Sequence, residues 1–312
     1  GEVALRRQRV RAAAARVTGS WRTALGDDFL ELMAQAIEDQ HPRVRLEAVR
    51  ALALLPSAHS AELALRTLDQ ALDPNLDYAT WKTIRELKSA WFPALEAKHL
   101  DLNGDMSHLS YALEAVDSPA AVPHLLRMID EDRMPQDRLA GALGVLSTHG
   151  NPEVLSRVLG AISTLWASED EIADVLVELI ESSQSRGVRP TGDLALVETL
   201  IRSQDPEVQV AAVQAAGIWK ISSAQHLLTQ LARRPGSGQE VRLSAVNSLG
   251  LLGDLSTLRE LAAADDPAVR VGACISILPL HPAEAARMAA SVLGGIQDVQ
   301  EASRLFQAFL GQ

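Results

Sequence analysis

The chain has 312 residues, 95 of them Ala or Leu, with 22% charged residues on a 47% apolar background. That composition favours helices over sheets, is too apolar for a disordered chain, and holds no run of eighteen apolar residues that would span a membrane. The net charge of −11 disfavours a nucleic-acid groove as the main purpose, and a single cysteine, Cys274, leaves no intrachain disulfide and no multi-cysteine zinc or C-x-x-C-H haem site.

The first 26 residues carry six arginines (Arg6, Arg7, Arg9, Arg11, Arg16 and Arg22) against Glu2 and sum to +5, so the rest sums to −16. Val10, Ala13, Ala14 and Val17 fall at helical spacing there. The arginines read as the solvated face of that helix, or as a surface that meets an anion. The chain begins with Gly and no apolar stretch follows the arginines, which predicts a processed or excised segment of a larger protein.

Further along, one phrase recurs. It runs from His41-Pro42-Arg43-Val44 to Leu52, from Asp205-Pro206-Glu207-Val208 to Gly217, from Gln239-Glu240-Val241 to Gly250, and from Asp266-Pro267-Ala268-Val269 to Ile275. Blurred copies begin at Arg9-Val10-Arg11 and at Pro135-Gln136-Asp137-Arg138. The anchor valines are separated by 34 (Val10 to Val44), 33 (Val208 to Val241) and 28 residues (Val241 to Val269). Asp serves as N-cap, and Pro at the first helical position loses no hydrogen bond. Val208, Ala211, Ala212 and Ala215 make one apolar stripe whose small side chains admit a close neighbour. Gly217, Gly250 and Gly253 are expected to stop helices. Partner helices are predicted at 29–39, 61–72, 194–203 and 256–264. Such hairpins cannot bury their apolar faces alone and must stack.

Between these elements, 73–95 concentrates Tyr78, Trp81, Trp91 and Phe92, four of the chain's eleven aromatics. Trp81, Ile84, Lys88 and Trp91 are predicted along one side of a helix, with Arg85 close by. Two readings stand. The rings widen the core between helices, or Tyr78, Trp81, Arg85, Lys88 and Trp91 form a docking surface of the Trp, Tyr and Arg type common at interface hot spots. Asp101-Leu102-Asn103-Gly104-Asp105 faintly suggests a calcium loop, but the EF-hand count from Asp101 places Met106 and Ala112 where Gly and Glu are needed. Asp105 is better read as the cap of the next helix. The polar segment 182–193 is predicted as a long loop or subdomain break, and 233–238 as a shorter one. The last helix, Val299–Leu310, carries Leu305, Phe306, Phe309 and Leu310 on one side, a stripe that faces inward or awaits further chain.

The D-P-x-V-R-x-x-A phrase resembles HEAT repeats, which are similar in form to armadillo repeats. The resemblance implies an all-α fold, a right-handed α-α superhelix of roughly nine hairpins spanning 1–312, forming a curved rod on the order of 80 Å long. A narrower resemblance rests on Asp73, Leu76, Asp77, Tyr78, Ala79, Trp81, Thr83, Ile84, Arg85, Glu86, Leu87, Trp91, Pro93, Ala94 and Leu95. These look like the HEAT region of exported planctomycete and verrucomicrobial membrane-bound dehydrogenases with a haem-binding domain. That likeness implies a spacer between a dehydrogenase domain and a cytochrome c-like domain. The chain has no C-x-x-C-H motif and no readable propeller strands, so both redox centres would lie outside it.

No catalytic, metal or cofactor site is expected. None of the eight histidines precedes a Glu, so the His-Glu pairs of HEAT-like deoxyhypusine hydroxylases and any H-E-x-x-H zinc motif are missing. Neither a G-x-S-x-G elbow nor a phosphate-binding G-x-x-x-x-G-K-[ST] loop occurs. Cys274 sits at a small-residue position of a repeat helix and reads as a buried, inert thiol. The expected function is a non-catalytic scaffold for protein or inter-domain docking. The alternative is an enzyme in the groove of the same scaffold, as in HEAT-like DNA glycosylases and bilin lyases.

Overall fold

In a computed structural model of the chain, residues 2–100, 102–165, 169–295 and 299–311 are described. All the regular structure among them is helical. The chain divides into two compact units, Gly1–Val145 and Leu146–Gln312. The first contains α1 (Glu2–Ser20), α2 (Arg22–Leu25), α3 (Asp28–Ile37), α4 (Pro42–Leu52), α5 (Ala58–Leu65), α6 (Pro74–Glu86), α7 (Lys88–Glu96), α8 (Met106–Val116) and α9 (Val122–Asp130). The division falls within α10 (Leu139–His149). The second contains α11 (Pro152–Leu165), α12 (Glu169–Arg186), α13 (Ala195–Leu200), α14 (Pro206–Ile218), α15 (Gln225–Arg233), α16 (Gln239–Leu252), α17 (Leu255–Leu261), α18 (Pro267–Ile277), α19 (Pro282–Leu293) and α20 (Val299–Leu310).

Each unit is two layers of stacked helices. In the first, α1, α4, α6 and α8 pack in succession while α3, α5 and α7 form the other layer. In the second, α12, α14, α16, α18 and α20 stack, with α11, α13, α15 and α17 against them. Among the described residues α3 with α4, α5 with α6, α11 with α12, α13 with α14, α15 with α16 and α17 with α18 pack as hairpins. We call the layer of α4, α6, α14, α16 and α18 the anchor layer and count positions from its anchors.

The recurring phrase performs as its chemistry requires. The Oδ1 atoms of Asp73, Asp205 and Asp266 each accept two backbone N–H groups at the first turns of α6, α14 and α18. In α4 His41 takes that place, its Nδ1 accepting from the Arg43 amide. The third helical residue is the anchor: Val44, Leu76, Val208, Val241 and Val269 are all buried. Around them the core holds Phe29, Met33, Leu52, Ile84 and Trp91 in the first unit, and Leu176, Trp219, Leu228, Leu249 and Ile277 in the second.

Successive anchor-layer helices touch at a fixed register. A Cβ added to Gly217, nine residues after its anchor, would lie 2.7 Å from Ser248 Cα, seven after the next anchor. Gly250 stands in the same relation to Ser276, at 2.8 Å from its Cβ, and Gly19 to Ala51, also at 2.8 Å. Hydroxyls reinforce the contact: Ser248 Oγ donates to the Val213 carbonyl at 2.8 Å and Thr83 Oγ1 to the Val49 carbonyl at 3.5 Å, both reaching back one rung.

Several expectations are corrected. Gly217 and Gly250 lie inside α14 and α16 and serve close packing, while Gly253 alone of the three adopts a left-handed C-cap (φ 78°). In α1 the buried face is Ala12, Ala15 and Gly19, and Val10, Ala13, Ala14 and Val17 are exposed. No described helix packs over Val10, although its 34-residue register to Val44 is right, as the Gly19–Ala51 contact shows. Residues 182–186 are helical, because α12 continues to Arg186. Ser183 Oγ accepts the Trp219 indole N–H at 2.8 Å, and Arg186 donates to the Thr148 and Gly150 carbonyls. On α20, Leu305 is buried while Phe306 and Leu310 are exposed, so the predicted stripe is split between core and surface. Among the described residues no helix is long and apolar enough to cross a membrane.

Because the Gly217 contact is against backbone, Gly217→Ala should lower stability by about 1–3 kcal/mol in urea unfolding, despite alanine's better helix propensity. Gly236→Ala, with nothing within 4 Å of the added carbon, should change it by less than about 0.5 kcal/mol.

Candidate docking surfaces

The five aromatic and cationic candidates fall on two helices. α6 ends at Glu86 and α7 begins at Lys88, with Leu87 buried at the corner. Ile84 and Trp91 are core residues, and the Trp91 indole N–H donates to the Ile84 carbonyl at 2.9 Å, pinning α7 across the bend. The single helical side predicted for Trp81, Ile84, Lys88 and Trp91 therefore does not exist. Trp91 packs edge-on against Phe92 at 5.5 Å, and the Lys88 ammonium lies 5.9 Å from the Phe92 ring.

What remains at the surface is a short stack on α6. Tyr78, 62% exposed, lies nearly parallel to Trp81 with ring centroids 6.0 Å apart. The Arg85 guanidinium sits 5.1 Å from the Trp81 ring centroid. Such a stack offers an aromatic and cationic surface whose members keep hydrogen-bonding capacity.

A second surface follows the repeat register. The residues three, six and ten after the anchors of α4 and α16 line open grooves. In the first unit Glu47, Arg50 and Leu54 join Arg16 and Arg43 around a groove of about 350 Å³. In the second unit the corresponding Ser244, Asn247 and Leu251 join Gln184, Gln214 and Arg304 around one of about 700 Å³. The first is lined by guanidiniums about a carboxylate, the second largely by carboxamides and hydroxyls. Sequence reading missed both. The available signal was the repeat register itself, which aligns Arg16 with Arg50 at a spacing of 34 and Gln214 with Asn247 at 33.

Two titratable clusters are structural. His108 Nε2 lies 2.9 Å from Asp69 Oδ1 and 3.9 Å from Asp105 Oδ2. These three are the metal-ligand-type group found among the described residues. Asp105 Oδ1 accepts the Ser107 and His108 amides, as expected of an N-cap. His108 and Asp69 are already hydrogen-bonded, so capping and pairing account for the cluster. Asp101, the first residue of the calcium-loop motif, lies outside the described residues, as does the Asn103 side chain.

The other cluster is on α8. Tyr111 Oη donates to Asp77, its pKa raised by burial and the facing carboxylate, and Arg138 stacks 5.0 Å from its ring. Burial pushes the nearby Glu114 carboxyl up to about 7, partly opposed by Arg138, and its Oε1 has no hydrogen-bond partner. Cys274 is fully buried and its thiol is pushed up to about 11, as an inert core residue should be.

Residues 194–279 match the family model described as HEAT repeats. In three dimensions the chain is similar to Kap121p bound to Pho4p (TM-score 0.54, 15% identity) and to Kap121p bound to Nup53p (TM-score 0.56, 14% identity). Each comparison covers 96% of this chain and 39% of that one, so the chain spans about two fifths of Kap121p's length. At such identities the likeness establishes the fold, which is that of a HEAT-repeat α-solenoid. No curated protein matches the chain.

Glu114 gives a pH prediction. Its folded carboxyl holds a proton up to about pH 7, against an ordinary value of 4.5. Its contribution to stability is therefore full below about pH 4.5 and lost as pH rises through about 7. Glu114→Gln should be about 1–3 kcal/mol more stable than the parent at pH 8 and no more stable at pH 4.5, read from urea midpoints.

Proposed function

We propose that the chain is a non-catalytic docking scaffold whose anchor-layer surface holds segments of partner proteins or neighbouring domains. One observation carries this reading. Across the copies the buried positions keep the same small and branched apolar residues, while the outward positions change from arginine to carboxamide and line grooves that the chain's own side chains leave open. The Tyr78–Trp81–Arg85 stack adds a preformed aromatic and cationic surface of hot-spot type. Kap121p, similar in fold, is seen bound to Pho4p and Nup53p, which accords with a solenoid holding protein segments.

A narrower version follows from 73–95, whose resemblance to the HEAT region of exported dehydrogenase and haem-binding proteins would make the scaffold a spacer between redox domains. A groove enzyme of the DNA-glycosylase kind needs a basic track for the phosphate backbone, which the −16 balance after residue 26 disfavours.

The reading is tested by peptide display against the full chain, followed by fluorescence polarisation with the enriched peptides. Trp81→Ala/Arg85→Glu or Gln214→Ala/Asn247→Ala should weaken binding about tenfold or more with an unchanged thermal midpoint. A DNA duplex should not compete at low salt. Absence of enrichment, binding insensitive to both pairs, or tighter binding of the duplex would overturn it.

A further inference from the structure

The first unit's groove is built around a carboxylate that has no ordinary reason to be there. Glu47 lies on α4 three residues after its anchor, and its side chain is 4% exposed. Three arginines surround it: Arg16 Nε from α1 at 3.4 Å, Arg43 Nε at 3.6 Å and Arg50 Nη1 at 3.7 Å. All three side chains are 60% or more exposed. Among the described residues none of these guanidiniums donates a hydrogen bond to a protein acceptor; they only face the Glu47 charge. A buried carboxylate is costly without compensation, and here three cations compensate one anion. The cluster is left at +2, with its donors turned to solvent.

The cluster continues along the register. Position six after the anchor is Arg16, Arg50 and Lys82 on three helices packed in succession, α1, α4 and α6. The position before the anchor is Arg9 on α1 and Arg43 on α4. In the second unit those positions are Gln214 and Asn247, and Glu207 and Glu240. The repeat does not require the cations, since the same fold is built with neutral or opposite charge there.

We propose that this groove binds an extended acidic segment of a partner protein, its carboxylates engaging Arg16, Arg43 and Arg50 with Lys82 at the next rung. The inference deepens the docking reading and rests on it. Guanidinium forks match carboxylates two donors to two acceptors. Three helices at 8–10 Å spacing span about 20 Å, which about six extended residues cover. The short track suits a peptide. A nucleic acid would have to pass from it onto a chain that is otherwise strongly acidic. The exposed Tyr78–Trp81–Arg85 stack shares α6 with Lys82 and offers an adjoining contact for an apolar side chain.

The test uses the full chain and three fluorescein-labelled probes: a twelve-residue peptide alternating Glu and Gly, its Gln-for-Glu counterpart, and a twelve-nucleotide oligothymidylate. The Glu peptide should bind about tenfold or more tightly than the Gln peptide, with affinity falling as salt is raised. Arg43→Gln/Arg50→Gln, both at exposed positions, should erase that difference. The charge-matched control Arg233→Gln/Arg259→Gln, removing exposed cations of the second unit, should leave it intact. Glu47→Gln, provided its thermal midpoint is retained, should tighten the Glu peptide about threefold or more, because the cluster gains a full charge.

Equal binding of the two peptides, insensitivity to Arg43→Gln/Arg50→Gln, or tighter binding of oligothymidylate through the same arginines would overturn the proposal. If display-selected peptides still depend on Trp81, Arg85 or Asn247 in that event, the docking reading stands and only the acidic occupant falls. If they do not, both fall.

Discussion

The spacing of this stack is set by glycine backbone meeting small residues of the next helix where a side chain is missing. Gly19 against Ala51, Gly217 against Ser248 and Gly250 against Ser276 are one contact repeated, position nine of one rung on position seven of the next. Larger residues there would push neighbouring rungs apart and open voids along the anchor row, where packing at interior density leaves little slack. The hydroxyls of Ser248 and Thr83 exploit the same closeness, reaching carbonyls on the preceding rung. The first unit solves one junction differently. There the buried Trp91 ring secures α7 against α6 through an indole hydrogen bond to the Ile84 carbonyl.

Much of this architecture could be read from the sequence because its signals are local. An Asp before Pro before a branched apolar residue caps a helix and orients its buried stripe whatever lies beyond, and Asp205 and Asp266 do so as expected. Non-local features were harder. Gly217 and Gly250 looked like helix stops because glycine commonly ends helices, yet a neighbouring rung needed their missing side chains. Val10 looked buried by periodicity, but burial requires a partner, and none of the described helices covers it. The corner at Leu87 breaks what reads as one helical face, because no proline or glycine marks it.

Of the candidate docking residues, Tyr78, Trp81 and Arg85 share one exposed stack, whereas Trp91 belongs to the core. Composition could not separate them, since an aromatic ring serves a core and an interface equally well. Glu47 was harder still. In sequence it is one glutamate among basic residues on a helix, the usual mark of a solvated face. Only the approach of α1 to α4 adds Arg16 to the Arg43 and Arg50 of Glu47's own helix and brings the three cations around one carboxylate.

That enclosure links the packing rule to the surface chemistry. Arg43 and Arg50 share a helix with Glu47 and would face it in any arrangement, but Arg16 reaches it from α1, a helix held against α4 by the Gly19–Ala51 contact. The glycine that lets two rungs close also sets how near the third cation comes to the carboxylate. Coulomb attraction at these distances is weak in water and grows as solvent is excluded, so the burial of Glu47 gives the cluster its fixed geometry. The uneven charge of the chain then has a physical form. Part of the +5 of the first 26 residues is folded onto one groove whose counterion is internal, and the second unit carries carboxamides and acids at the equivalent positions.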